Sequence, residues 1–283
     1  MLRLVTNQLR VLPTLVLAAW TLATFHLGAG HTPFTPEWVA SLPIPTMLAV
    51  MTLGTLIALP LEALAVRALG PIPAGTHPLL GWYGINAFLK DRLIDGANSA
   101  LSGTLLWPVW LRLAGMRIGR KAEISTISEV LPELVTIGDS CFFADGIYLG
   151  RPLLHRGTFT CGHTRFSNNT FLGNHVVVPS GVSLPPDILL GICTVADPAR
   201  IRPGTSWFGH PSFELPRREV HSADRAFTYE PTPLRRATRM FWEGTRLLLP
   251  IPTLLLGLWW FTTMPTWRAT HSPLVFHLVL LPA

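Results

Sequence analysis

Charge is what this sequence has least of. Only 13% of its 283 residues are Asp, Glu, Lys or Arg, against about 25% in an ordinary soluble domain. The deficit is local: residues 11–29, 43–61 and 247–267 contain none of the four. An uncharged apolar run of about 18 residues or more is a candidate membrane-spanning helix. Cysteine is also scarce. Cys141, Cys161 and Cys193 are scattered and form no CxxC, which argues against a disulfide framework and leaves small buried hydrophobes as their use. No metal-ligand spacing, P-loop, dinucleotide fingerprint or G-x-S-x-G occurs, so neither metal nor nucleotide chemistry is implied. No basic run is interleaved with aromatics at a readable spacing, so nucleic acid is not an expected partner.

The apolar runs set an expected topology. Val11–Gly30 and the run that begins at Ile44 read as a helical hairpin, and Leu247–Met264 as a third span with Trp259 and Trp260 near one end. The closing stretch, PLVFHLVLLPA, is eleven residues long, too short to span, and reads as half of a fourth helix in a piece of a longer protein. Arg3 and Arg10 precede the first run, Arg67, Lys90, Arg92 and Arg112 follow the second, and Arg235, Arg236, Arg239 and Arg246 precede the third. By the positive-inside rule this predicts a multi-pass protein of the cell membrane with residues 67–246 cytoplasmic. The net charge of +6 then serves topology and attraction to anionic membrane lipid.

Between the runs lies a repeat. Counting by six from Phe166 gives Leu172, Val178, Leu184, Leu190 and Ala196, all apolar. Ile137, Phe143 and Leu149 keep the same step, as do Ile118 and Ile124. Six is not a helical period. It is the signature of hexapeptide β-helix repeats, in which each hexad supplies one short strand and one inward side chain. Corners accept Pro179, Pro185 and Pro186 because no ladder hydrogen bond is required there. The expected fold class is therefore a mainly β solenoid, a left-handed parallel β-helix of hexapeptide repeats flanked by transmembrane α-helices. Its parts are a transmembrane hairpin (1–70), a linker with an interfacial helix (71–114), the β-helix domain (115–215), a basic linker (216–246), and a transmembrane helix with a truncated second one (247–283). Three interruptions break the step: the insertions Ser125–Thr136 and the segment between Leu149 and Phe166, and a slip after Ala196. Insertions in such repeats map to loops, often on the binding side.

Four segments carry a family likeness: EISTISEVLPELVTIGDSCFFADG (Glu123–Gly146), LLHRG (Leu153–Gly157), FLGN (Phe171–Asn174) and WFGHPSFELPRRE (Trp207–Glu219). Together they resemble the membrane-bound C-terminal region of the ε-poly-L-lysine synthetase family, a branch of the nonribosomal peptide synthetases. The resemblance implies a unit that forms amide bonds between amino acids held as thioesters on the 4'-phosphopantetheine arm of a carrier domain. It also implies adenylation and carrier domains as partners, and neighbouring β-helix units in a tandem or homotrimeric array. The hexad alone points only to an acyltransferase-type β-helix. A stand-alone membrane O- or N-acetyltransferase using acetyl-CoA, or a non-catalytic scaffold repeat, stays open at this point.

Amide formation from a thioester needs a base for the amine and a stabilised oxyanion. His155, inside LLHRG and beside Arg151 and Arg156, is the expected base. Asp145, in FFADG, is the expected carboxylate, orienting the imidazole or accepting the substrate ammonium. Glu129, Glu133, Arg156, His163 and Asn174 are the expected substrate-binding residues. Arg217 and Arg218 fit phosphopantetheine or membrane phosphate equally. Asn168, Asn169 and Asn174 are expected at corners, where asparagine accepts left-handed backbone.

Overall fold

The computed structural model describes residues 12–21, 23, 44–216 and 230–248, and scattered positions from 256 to 275. The turn expected at 30–43, the body of the third apolar run, the last eight residues, and Arg217 and Arg218 lie outside the described residues. The chain divides into two units, the larger spanning Leu59–Glu243 and the smaller Val11–Ala58 with Gly244–Ala283.

In the smaller unit, helix α1 (Leu12–Thr21) carries Thr14 against Gly54, where any Cβ would collide. Helix α2 (Ile44–Ala68) begins in this unit. Among the described residues one helix is long and apolar enough to cross a membrane, Leu48–Ala68 within α2, with mean hydropathy 1.9.

The larger unit is built on three mainly parallel sheets that the chain visits in rotation between residues 117 and 190. Strands β2 (Arg117–Ile118), β5 (Val135–Ile137), β10 (Thr164–Phe166) and β13 (Ser183–Leu184) make the first. Strands β3 (Glu123–Ile124), β6 (Phe142–Phe143), β11 (Phe171–Leu172), β14 (Leu189–Leu190) and β15 (Ser206–Phe208) run parallel in the second, which β16 (Phe213–Leu215) ends antiparallel. Strands β4 (Ile127–Ser128), β7 (Ile147–Arg151) and β12 (Val177–Pro179) make the third. The six-residue step falls on the register of these ladders. Ile118, Ile137, Phe166 and Leu184 are Cα partners in the first sheet. Ile124, Phe143, Leu172 and Leu190 are partners in the second, and Leu149 and Val178 in the third. Phe143, Leu149, Leu172, Val178 and Leu190 are fully buried. Each such burial removes an apolar side chain from water for about 1.5–3 kcal/mol.

The corners repeat with the same spacing as the strands. Between first and second sheets the left-handed residue is successively Lys121, Ser140, Asn169 and Asp187, and between second and third it is Gly146, His175 and Cys193. Of the three asparagines expected there, only Asn169 takes the left-handed conformation. Asn168 and Asn174 each sit one position earlier, and their Oδ1 atoms accept the N–H of Asp139 (2.8 Å) and Asp145 (3.2 Å) in the previous circuit. Pro185 and Pro186 lie at a corner, between β13 and β14.

Both insertions are ordered. The second is a hairpin, β8 (Leu153–His155) and β9 (Thr158–Cys161), turning on Arg156 and Gly157 at φ 43° and 79°. Two successive left-handed residues make the tight turn whose twist suits paired strands. Strand β1 (Gly75–Pro78) pairs antiparallel with β9, so β8 is left as an edge. Behind this small sheet, Phe159 and Cys161 pack with Ile72 and with Leu131 and Leu134 of the first insertion.

Residues 71–114 are more than a linker. Besides β1 they form α3 (Trp82–Leu101) and α4 (Trp107–Leu113). The expected interfacial helix turns its tryptophans into the protein: Trp107 and Trp110 are buried, and their indole N–H groups donate to Ser125 O (3.0 Å) and Leu59 O (2.7 Å). A buried indole needs such a partner, and the chain supplies one for each. Leu106, Val109 and Leu113 remain exposed on the other side. From α3, Asn86 and Lys90 donate to the carbonyls of Leu69 (2.7 Å) and Gly70 (2.6 Å), capping the end of α2.

Candidate active-site groove

Alternation along a strand sends the residue before each buried hexad residue to the outside. On the second sheet those outward neighbours are Glu123, Phe142, Phe171 and Leu189, in register with one another. The rings of Phe142 and Phe171 stack at 5.1 Å and 12°. They floor an open groove of about 800 Å³, with Ser125, Asp145 and Asn174 at its polar end and Phe208 and Leu215 on the side where the strands finish.

Asp145 occupies the corner between second and third sheets. Its Oδ1 accepts from the Ser125 hydroxyl and from Thr126 Oγ1 at 3.2 Å. Its backbone N–H goes to Asn174 Oδ1 and its carbonyl accepts His175 N at 2.8 Å. The Ser125 hydrogen bond holds the carboxyl below its ordinary value; partial burial opposes this, while Thr126 and the nearby His175 add to it. The group is therefore an anion at neutral pH, open to solvent at the end of an apolar floor.

Around Glu123 and the two rings the groove runs into a second cavity of about 680 Å³. Its far wall is helix α5 (Pro233–Leu248), which contributes Arg235, Arg236 and Arg239, and the near wall carries Arg112 and Lys121. Arg239 ties the helix down: it donates to Glu123 Oε1 (2.7 Å), Glu243 Oε1 (2.6 Å) and Gly103 O (3.0 Å). Glu243 Oε2 in turn accepts Leu105 N at 2.8 Å.

The other expected site residues are dispersed. His155 stands exposed on edge strand β8, and Arg156 forms the hairpin tip. His163 is exposed where the hairpin returns to β10. His155 does not meet Asp145. The five residues of β7 separate the Asp145 corner from the root of the hairpin, roughly 16 Å at strand rise, so within one chain the carboxylate does not orient that imidazole. The histidine beside Asp145 is His175, whose ring lies where a Gly146 Cβ would be. Glu133 already has a cation. Its Oε1 accepts Lys90 Nζ at 2.6 Å and Ile72 N at 2.9 Å, with the Lys90 side chain 2% exposed. Glu129 is paired with Arg151 at 2.6 Å. Burial pushes the Cys141 and Cys161 thiols up, away from nucleophilic use. Among the described residues no cluster of His, Cys, Asp or Glu could hold a metal ion.

Glu123, Phe142, Phe171 and the α5 arginines escaped the reading of the sequence. The signal for the first three was present: each immediately precedes an inward hexad residue. Nothing local signals that α5, whose Arg239 lies 116 positions beyond Glu123, runs along that face.

No family model matches the chain. It is 28% identical over 246 residues to a delta-poly-L-ornithine synthetase of Acinetobacter baumannii, an alignment covering 85% of this chain and 18% of that protein. The chain thus spans less than a fifth of the length of that relative. Among solved structures it is similar to a hexapeptide-repeat acetyltransferase of Vibrio cholerae, at 16% identity and a TM-score of 0.32 over 44% of this chain and 86% of that one. It is also similar to a galactoside acetyltransferase solved with coenzyme A, at 14% identity and a TM-score of 0.35 over 59% and 94% of the two chains. Superpositions this loose bear on neither ligand nor chemistry.

Proposed function

We propose that this chain is a membrane-associated acyl-transfer unit that joins amino acids, presented as carrier-bound thioesters, into a polyamide. The observation that carries this reading is the sequence match to the poly-ornithine synthetase along 85% of the chain. The three sheets visited in rotation are read as turns of a left-handed β-helix, and the groove over Phe142 and Phe171 as its working face. In this mechanism His155 takes a proton from the attacking ammonium. The free amine adds to the thioester carbonyl, its nitrogen releases a second proton to solvent, the tetrahedral oxyanion collapses, an amide bond forms, and the C–S bond breaks. The sulfur leaves as a thiol carrying the proton from the imidazolium. Asp145, anionic at the groove's polar end, receives the cationic group of the acceptor. Because His155 and Asp145 lie at separate corners of one unit, the hairpin of one unit faces the groove of a neighbour in a tandem or trimeric array.

Membrane association is supported by the orientation of α5. Its charged face turns toward the protein through Arg239 and Glu243, while Leu234 and Phe241 on the opposite face are 77% and 65% exposed. A helix that turns its polar side inward and its apolar side outward suits a lipid interface. Flotation with vesicles containing anionic lipid checks this, and a L234E/F241E variant that floats unchanged refutes it.

The enzymatic test supplies the full-length synthetase with its cognate aminoacyl carrier thioester or with acetyl-CoA and follows amide formation. Replacing His155 with Ala is expected to slow the carrier-dependent reaction by about 10²–10⁴-fold, the usual contribution of a general base. Transfer from acetyl-CoA alone would favour a stand-alone acetyltransferase, and an unchanged rate in the variant would mark this unit as a scaffold or assign the base elsewhere.

A further inference from the structure

A cavity of about 480 Å³ lies where α2 and α4 end and the first sheet begins. Arg67 and Gly70 reach it from the end of α2, Arg112 from the last turn of α4, and Arg117 from β2. Lys90 and Glu133 line it too, but each is engaged with the other at 2.6 Å. Four cations against one carboxylate leave its wall at +3. Among the described residues no carboxylate pairs with Arg67, Arg112 or Arg117. Arg112 is nonetheless fixed, because it donates to the carbonyls of Ile118 (3.1 Å) and Gly119 (2.6 Å). Arg67 and Arg117 are exposed.

A helix C-terminus ordinarily repels an anion through its free carbonyls. Both helix ends here have theirs occupied. Asn86 and Lys90 donate to the Leu69 and Gly70 carbonyls after α2 (2.7 and 2.6 Å), and Ala114 N and Met116 N to those of Trp110 and Leu111 in α4 (2.9 and 3.0 Å). The guanidinium groups therefore set the local field. The approach to them is apolar. Among the described residues, the one helix long and apolar enough to cross a membrane ends at this cavity, one residue beyond Arg67. On it Leu64 is exposed one turn before Arg67, and Leu61 one turn before that. On α4 Val109 is exposed one turn before Arg112. The two helices are tied by the Trp110 indole N–H to Leu59 O at 2.7 Å, and each runs from exposed apolar side chains to an arginine in one cavity. A phosphate joined to hydrocarbon fits that order, since the guanidinium fork binds phosphate oxygens in pairs.

We propose that this cavity binds the phosphate of a membrane phospholipid, with Arg67 and Arg117 as the principal contacts, Arg112 as the fixed third, and the acyl chains along Leu61, Leu64 and Val109. It shares no lining residue with the groove over Phe142 and Phe171. The site deepens the membrane-association reading and rests on it for the lipid as the source of the phosphate. The phosphate site itself rests on the cavity and its unpaired guanidinium groups.

The experiment uses the whole chain in an uncharged detergent and measures binding by calorimetry. Probes are a short-chain phosphatidic acid, the diacylglycerol with the same chains, and glycerol phosphate. Phosphatidic acid is expected to bind at least about tenfold more tightly than diacylglycerol, and the R67E/R117E variant to lose that advantage while binding diacylglycerol as before. R156E/R165E makes the same change of charge at exposed arginines outside the cavity and should keep the advantage; equal losses in the two variants would mean a general attraction and overturn the site. Because Arg67 and Arg117 are exposed, R67E/R117E should melt with the wild type; R117Q, which removes one charge without reversing it, is the second test and should weaken phosphatidic acid binding in the same direction. Tighter binding of phosphatidic acid than of glycerol phosphate identifies the lipid as the source, and equal binding of the two overturns the lipid in favour of a free phosphate ester. Equal affinities for phosphatidic acid and diacylglycerol, or arginine changes without effect, overturn the site even if the chain still floats with vesicles. Conversely, arginine-dependent binding of phosphatidic acid by a chain that does not float would leave the site standing and remove the membrane-association reading.

Discussion

The Lys90–Glu133 pair offers the sharpest test, because two different roles for Glu133 predict opposite outcomes. As a substrate-binding carboxylate it would be dispensable for folding. In the structure it lies 2.6 Å from an ammonium whose side chain is 2% exposed, and the same oxygen accepts Ile72 N. Lys90 also donates to Gly70 O. Three chain segments, the end of α2, helix α3 and the first insertion, therefore converge on two side chains. Changing Lys90 to Met keeps most of the stem and removes the charge. It leaves the Glu133 carboxylate half-buried without a cation and the Gly70 carbonyl without its donor. Breaking one side of a buried pair costs about 3–5 kcal/mol. For a folded unit of this size each kcal/mol lowers the melting temperature by about 2–4 °C, so the expected drop is roughly 6–20 °C. Thermal unfolding followed by tryptophan fluorescence is suited to this, since Trp107 and Trp110 are buried in the same unit. Changing both residues to apolar ones, K90M with E133L, should recover a large part of the loss, because the cost arises from the orphaned charge and not from the absence of the pair. A K90M protein that melts with the wild type but binds its acceptor substrate more weakly would refute this reasoning and return Glu133 to the substrate.

Two further outcomes follow from the corners and the hairpin. Gly157 has φ 79°, and nothing lies within 4 Å of the place an added Cβ would take, so G157A meets no clash and loses only the left-handed preference, about 1–2 kcal/mol; hydrogen exchange should speed up across Leu153–Cys161 and stay unchanged at Leu172 and Leu190. S125A removes the first cause of the lowered Asp145 titration. The carboxyl resonance of Asp145 should then titrate higher, toward the ordinary range. With the folded value depressed, Asp145 stabilises the fold above the unfolded carboxylate value and that contribution is lost as pH falls through the depressed one; S125A should narrow this acid window, and an unmoved titration would mean another group holds the charge.

The repeat was readable because its cause is local. Each short strand sends one side chain inward, so an apolar residue recurs at the circuit's own spacing, and Ile137, Phe143 and Leu149 reveal the phase even across insertions. The prolines at 185 and 186 were readable for the same reason. What could not be read is what depends on distant chain. Glu133 looks like a loop charge until Lys90, 43 positions away, is brought beneath it. Trp107 and Trp110 in a short apolar helix look interfacial until Ser125 O and Leu59 O are seen to accept their N–H groups. The strand at Gly75–Pro78 has no strand-like pattern of its own and forms because β9 offers it an edge.

The same rotation of sheets that made the repeat readable constrains the chemistry. Asp145 lies between a strand of the second sheet and one of the third, and the hairpin leaves between the third sheet and the first. A carboxylate before β7 and an imidazole on the hairpin that follows it are separated by the five residues of that strand, roughly 16 Å, so the two do not form a hydrogen-bonded pair within a single unit. Phe159 and Cys161 pack β9 of the hairpin on Leu131 and Leu134, and Asp145 is held by Ser125, Thr126 and Asn174. If His155 and Asp145 act as one hydrogen-bonded pair, they do so from two units. Mixing H155A and D145N copies of an otherwise inactive array should then restore activity, since one cleft in a mixed assembly keeps both groups, whereas a site contained in one chain would gain nothing from mixing.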